Sequence, residues 1–295
     1  MGQPEALTLF RRLGGSNVNA GSPDSEAELL DILEGLPLAI AQAAAFIRKT
    51  DITTETYVKM LKSTADLPRL LDESYVDRYR ESDVPNSVMR TWLISMERIA
   101  KENACAYKIL HTIAFFDNQG IPSELIHAAA GAGVEEYDIR IAVNRLRDFS
   151  FLQIRIALGQ VLPSYELHRL VQLATRRSLE SREKKAEQRL FSEMAIRIMA
   201  ETFPDGTRGT WDRCKTYLSH SLKAFTLPEM EQHTHLTAKL LTKLTLYLNQ
   251  QGSWKEAEEL NLRALELQKE ALGEKHPSAL LAMGNLVSTY WRQGR

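Results

Sequence analysis

Leu248-Asn249-Gln250-Gln251-Gly252 and Tyr290-Trp291-Arg292-Gln293-Gly294 end alike, and their glycines stand 42 residues apart. Leu244 and Leu286 share that offset. Between the two copies lie Glu256-Ala257-Glu258, then Arg263-Ala264-Leu265-Glu266, then Gly273-Glu274-Lys275-His276-Pro277. Trp254, Ala257, Leu260, Ala264 and Leu267 fall on one face at helical spacing. Ala257 and Ala264 are small enough for a paired helix to approach closely. A unit of this kind cannot bury its apolar face alone, and about three units are needed for a continuous core. The second copy stops at Arg295 after one helix. The chain is therefore expected to be cut, with a last helix exposing Leu286 and Tyr290.

The string Gln-Gly, Glu-Ala-Glu, Arg-Ala-Leu-Glu, Leu-Gly, His-Pro resembles the tetratricopeptide repeat, and more narrowly its 42-residue kinesin-light-chain-like variety. Thr245 and Asn261 depart from the pattern, which usually has a small and an aromatic residue there. The resemblance implies an α-solenoid over 236–295 that receives a protein or peptide partner.

Upstream, residues 181–235 read as a helical spacer, with Pro204-Asp205-Gly206 a turn and Trp211 and Tyr217 as packing anchors. Before it the period changes. Phe151 to Ile156 alternates imperfectly, Gly159 belongs to a turn, and Tyr165-Glu166-Leu167-His168 pairs back as a second strand. Helices flank this hairpin. Leu170, Val171, Leu173 and Ala174 mark the one after it. Before it come one with Trp92, Met96 and Ile99, and one with Ile109, Leu110, Ile113 and Phe116. After the turn Asp117-Asn118-Gln119-Gly120, a third opens at Ile121-Pro122 and reaches about Ala130. A fourth covers 137–149 with Ile141, Val143, Leu146 and Phe149 apolar. Helices, a hairpin and a closing helix are the order of a winged helix over 86–180. Residues 67–85, next to Pro85 and with several acids and arginines, read as a linker.

The N-terminal part, 1–66, is a helical subdomain. Ala27, Leu30 and Leu33 give a helix over 24–34, with Asp24 or Ser25 as N-cap and Gly35 as its stop. Pro37 opens the next helix, Pro37 to Lys49, where a missing N–H costs nothing. Its alanines (Ala39, Ala41, Ala43, Ala44, Ala45) allow close approach of a neighbour.

Leu30-Leu33-Glu34-Gly35-Leu36-Pro37-Leu38-Ala39 resembles the Gly-Leu-Pro-Leu-Ala motif of NB-ARC ATPases. Tyr165-Glu166-Leu167-His168-Arg169-Leu170-Val171-Gln172 resembles the Met-His-Asp-type motif of the winged helix that follows in them. Here Leu167 replaces the usual Met and Arg169 the usual Asp, so the motif's acidic partner is missing. The order of parts is similar to fungal NLR-like proteins of the STAND class, from about Glu5 to Arg295. In that family the proline packs on adenine and the histidine contacts the ADP β-phosphate in the closed form. The resemblance thus implies that Pro37 and His168 bind ADP or ATP, conditional on an upstream nucleotide-binding domain. No G-x-x-x-x-G-K-[ST] occurs in the chain, and Gly14-Gly15 lacks both its spacing and its lysine. The chain is accordingly expected not to be an enzyme by itself and to bind nucleotide weakly or not at all.

Composition is that of an ordinary soluble globular protein. The 295 residues suffice for roughly two domains, with 44% hydrophobic and 25% charged residues. A net charge of -1 gives no global pull toward nucleic acid or anionic membrane. Cys105 and Cys214, far apart, suggest a reducing compartment, and no run approaches the roughly 20 apolar residues of a membrane span. Without a signal segment after Met1 the expected location is the cytoplasm. His233 and His235, at i and i+2, point apart on a helix, so no metal site is expected. The basic residues Arg140, Arg145 and Arg147, and those near 176–189, read as solvated faces mixed with acids rather than a nucleic-acid surface. Three functions follow in order of preference. The first is the regulatory and sensor segment of an ADP-dependent switch. The second is a tetratricopeptide scaffold with no nucleotide role, and the third a winged-helix DNA binder.

Overall fold

The computed structural model describes residues 2–15, 22–63, 86–156, 163–225 and 234–294. The expected linker at 67–85, Gly159 and His233 lie outside them. The chain is mostly α, with one small sheet.

Helix α1 (Gln3–Gly14), on which sequence periodicity places no element, buries Ala6 and Phe10 one turn apart. Helix α2 (Pro23–Ile32) begins earlier than expected. Ser22, not Asp24 or Ser25, is its N-cap, and the Ser22 Oγ accepts from the Ser25 N–H at 3.2 Å. The cause is Pro23, which fits the first helical position and moves the cap upstream. Arg11 of α1 clamps Glu26 of α2, Nη2 to Oε2 at 2.6 Å. The helix stops through two left-handed residues, Glu34 (φ 51°) and Gly35 (φ 64°), with Gly35 N–H donating to Leu30 O at 3.2 Å. Helix α3 (Pro37–Thr50) follows at once and buries Ala39, Ala43, Ala44 and Ala45. These small residues let α1 lie close along it. Helix α4 (Thr54–Ser63) sets Tyr57 on Phe46, ring centroids 5.1 Å apart.

Helix α5 (Asn86–Glu102) buries Trp92, Met96 and Ile99, and α6 (Ala104–Ile113) is capped by Asn103, whose Oδ1 accepts from Ala106 N–H at 2.8 Å. The expected third helix is corrected here. Ile121 and Pro122 form a short strand, β1 (Ile121–Pro122), and the helix α7 (Ser123–Ala130) starts after it. Pro122 is the reason. Its ring holds the preceding residue extended, and it caps α7 in a β conformation, φ −64° and ψ 151°. Helix α8 (Glu136–Asp148) then leads into β2 (Leu152–Arg155) and β3 (Ser164–Leu167). The antiparallel sheet has the order β1-β3-β2, with Ile121 opposite Tyr165 and Leu152 opposite Leu167. The order helix, strand, two helices, two strands adds a third strand to the expected hairpin. Ile141, expected among the apolar contacts of α8, is exposed instead. Ile139 and Ala142 take the buried positions.

Helix α9 (Arg169–Arg177) follows β3, and α10 (Lys185–Thr202) and α11 (Trp211–Phe225) form the spacer. Tyr217 is buried, and Trp211, partly buried, donates from Nε1 to Gly206 O at 3.2 Å. Helices α12 (Thr234–Gln251), α13 (Trp254–Leu272) and α14 (Pro277–Arg292) stack in succession. Ala257 and Ala264 are buried as expected, but Trp254 is 40% exposed and turns its Nε1 to Asn249 O at 3.3 Å. The exposed apolar residues of α14 are Leu280, Leu281, Val287 and Trp291, while Leu286 and Tyr290 are half-buried. One contiguous apolar cluster runs from Ala6 to Ala264.

Candidate functional site

Pro37 begins α3 and its ring is exposed. Backbone reversal through Glu34 and Gly35 puts it there, since both residues hold positive φ. His168, the N-cap of α9, is also exposed. Its Nδ1 accepts from the Leu170 N–H at 3.2 Å. An N–H can only donate, so Nδ1 carries no proton in this geometry. The neutral ring then holds its proton on Nε2, a donor on an exposed side chain. Partial burial lowers the His168 pKa, which favours that neutral form. Beside it Arg169 is exposed, so a second donor group stands at the same helix start.

The two halves that carry these residues are joined. Gln42, fully buried on α3, donates from Nε2 to Ser150 O at 3.2 Å, in the turn before β2. Ser150 itself has φ 57°. Lys49 at the far end of α3 meets Asp148 at 2.5 Å, and Phe46 packs on Phe149 with ring centroids 5.8 Å apart. Helix α3 is therefore fixed to the end of α8 at three points along its length. No local pattern marks Gln42 in advance, because its partner lies 108 residues away. Among the described residues Pro37 and His168 themselves share no hydrogen bond.

Several basic residues of this region are engaged by acids or rings of the chain itself. Arg145 and Arg98 both pair with Glu102, Arg155 pairs with Glu166 at 2.7 Å, and Arg176 lies over the Phe115 ring at 5.4 Å. Among the described residues no group of His, Cys, Asp and Glu could hold a metal ion, and no helix is long and apolar enough to cross a membrane.

Residues 236–295, which hold α12 to α14, match the tetratricopeptide repeat family. Ahead of them stand α1 to α11 and the three-stranded sheet. The chain is similar to a "Nucleotide-binding leucine-rich repeat (NLR)-like protein" of Hyaloscypha variabilis, 33% identical over 265 residues. That alignment takes in 88% of this chain and 26% of the relative, so the chain spans about a quarter of that protein's length.

Proposed function

We propose that this chain is the regulatory and sensor segment of an NLR-like signalling protein, autoinhibited by ADP and read out through its tetratricopeptide repeats. One observation carries the proposal: His168 caps α9 with Nδ1 and so keeps Nε2–H as a donor on an exposed side chain at a helix N-terminus. Such a terminus favours an anion, and a charged acceptor strengthens the contact. Pro37 offers an exposed ring for an adenine face. The subdomain that carries it is fixed to the winged helix through Gln42, Lys49 and Phe46. These residues supply two contacts and no phosphate cradle. The remaining contacts belong to a P-loop domain in the same polypeptide or complex, which also supplies any NTPase chemistry. The compartment proposed is the cytoplasm. The divisions at 1–66, 86–180, 181–235 and 236–295 are proposed as functional units within one continuous core.

The test compares ADP binding by a P-loop domain alone and joined to this chain. Tighter binding in the joined protein is expected, and equal binding overturns the sensor role. A second reading, a peptide-binding scaffold without nucleotide, is favoured by the repeat match at 236–295. It expects partner capture by the repeats to be the same whether or not ADP is bound.

A further inference from the structure

A cavity of about 360 Å³ lies where α5, α6 and the end of α9 meet the start of α10. Ligand pockets occupy roughly 300–1,000 Å³, so there is room for a small molecule. One wall is a helical stripe of α5: Met89, Leu93, Met96 and Ala100. Its spacing of three and four residues keeps these side chains on a single face. Methionine side chains adapt to varied apolar shapes.

The rest of the lining, Ala104 apart, is polar. Tyr107 Oη donates to Glu187 Oε2 at 2.9 Å, and the carboxylate keeps its negative charge in that bond. The fully buried His111 lies against Tyr107, ring centroids 3.9 Å apart, with Nδ1 at 2.9 Å from Tyr107 O. A carbonyl can only accept, so Nδ1 holds a proton, and His111 Nε2 meets Ser178 Oγ at 3.4 Å. Two cations, Arg177 and Lys184, belong to this polar lining, and neither makes an ion pair among the described residues. The remaining acid, Glu97, is solvent-exposed. The Lys184 charge reaches His111, where it disfavours a second cation. The cavity thus joins an apolar stripe to a polar end where Arg177 and Lys184, outside any ion pair among the described residues, stand with the acids Glu187 and Glu97.

We infer that this cavity is a binding site for a small amphipathic carboxylate, an apolar chain or ring carrying one anionic head. The apolar part lies along the Met89–Leu93–Met96–Ala100 stripe, and the carboxylate meets Arg177 and Lys184. The site is separate from Pro37 and His168 and does not depend on nucleotide. It sits between the winged helix and the spacer, so its occupant would bind both at once.

Decanoate is the probe and decanol its uncharged counterpart, titrated into the full chain by calorimetry. The expected result is saturable binding of one decanoate per chain, with decanol at least about tenfold weaker. The double variant Arg177→Gln with Lys184→Gln should erase most of that preference. Ala104→Phe places a large ring at the cavity mouth. Ala104 is exposed at the start of α6, so the fold should tolerate it, and Ala100→Phe provides an independent block from α5. Either block should abolish binding while the helical circular-dichroism signal stays unchanged. Equal binding of decanoate and decanol overturns the inference, as does undiminished binding in both folded block variants or no saturable binding at all.

Discussion

His111 shows how burial sets the charge of one side chain. Burial pushes its pKa down to about 4 from an ordinary 6.5, and the nearby Lys184 acts in the same direction. The folded protein therefore keeps His111 neutral where an unfolded chain would take up a proton. Its contribution to stability is full above about pH 6.5 and is lost as the pH falls toward 4. The loss is on the order of 3 kcal/mol, since each tenfold change in proton affinity corresponds to about 1.4 kcal/mol. Urea unfolding at pH 7 and pH 4.5 should show it, and His111→Phe should flatten the difference. An equal pH dependence in the two proteins would remove His111 as its source. His220, buried on α11 with Nε2 at 3.3 Å from Gly120 O, has its pKa lowered in the same way by burial and adds to the acid sensitivity that remains.

Within the repeat elements, Thr289 of α14 is the hub of a buried polar cluster. Its Oγ1 accepts from Asn249 Nδ2 at 3.0 Å and from Asn261 Nδ2 at 3.1 Å, and donates to Asn285 O at 2.9 Å. Three successive helices thereby share one hydroxyl, and a slip of α14 along its neighbours would leave two amides unpaired. Thr289→Val should cost roughly 2 kcal/mol, because buried donors left alone keep their full desolvation penalty. Hydrogen exchange across 277–292 should rise in that variant. Combining Thr289→Val with Asn249→Leu and Asn261→Leu should restore most of the stability. Asn261 is visible in the sequence as a departure from the repeat pattern, but its partner is not. The sequence also carries the order of helices, the stop at Gly35, the start at Pro37, and the packed Ala257 and Ala264; it places His168 in the strand, where the structure makes it the N-cap of α9. It hides the strand Ile121–Pro122, whose two residues are too few for an alternating pattern and whose partner Tyr165 is distant in the chain. It misplaces Trp254 and Ile141, because periodicity marks a face and says little about where that face ends. Met89, Leu93, Met96 and Ala100 are legible only as a core stripe. The cavity beside them needs Arg177 and Lys184 from other elements.

Across the whole molecule, contact is continuous from the subdomain that holds Pro37 to the repeats. Gln42 and Lys49 tie α3 to the end of α8, and the Tyr107 and Phe191 rings, 6.0 Å between centroids, tie α6 to α10. Lys243 of α12 ties the spacer to the repeats, its Nζ donating to Ala200 O at 2.9 Å and Phe203 O at 2.6 Å. A cation at the C-terminal carbonyls of α10 is favoured by the helix dipole. Lys243→Met should cost about 1–2 kcal/mol and free the repeats from α10, seen as faster exchange at 196–203. Unchanged exchange there would show that apolar packing alone holds the junction. On the proposed function this path links His168 to the repeats, and that proposal rests on whether His168 touches nucleotide. The most direct measurement is ADP affinity in this chain joined to a P-loop domain, before and after His168→Ala. A loss of about tenfold or more in ADP affinity is the predicted result, in line with a charge-assisted hydrogen bond of roughly 1.5–3 kcal/mol. An affinity unchanged by His168→Ala would contradict it.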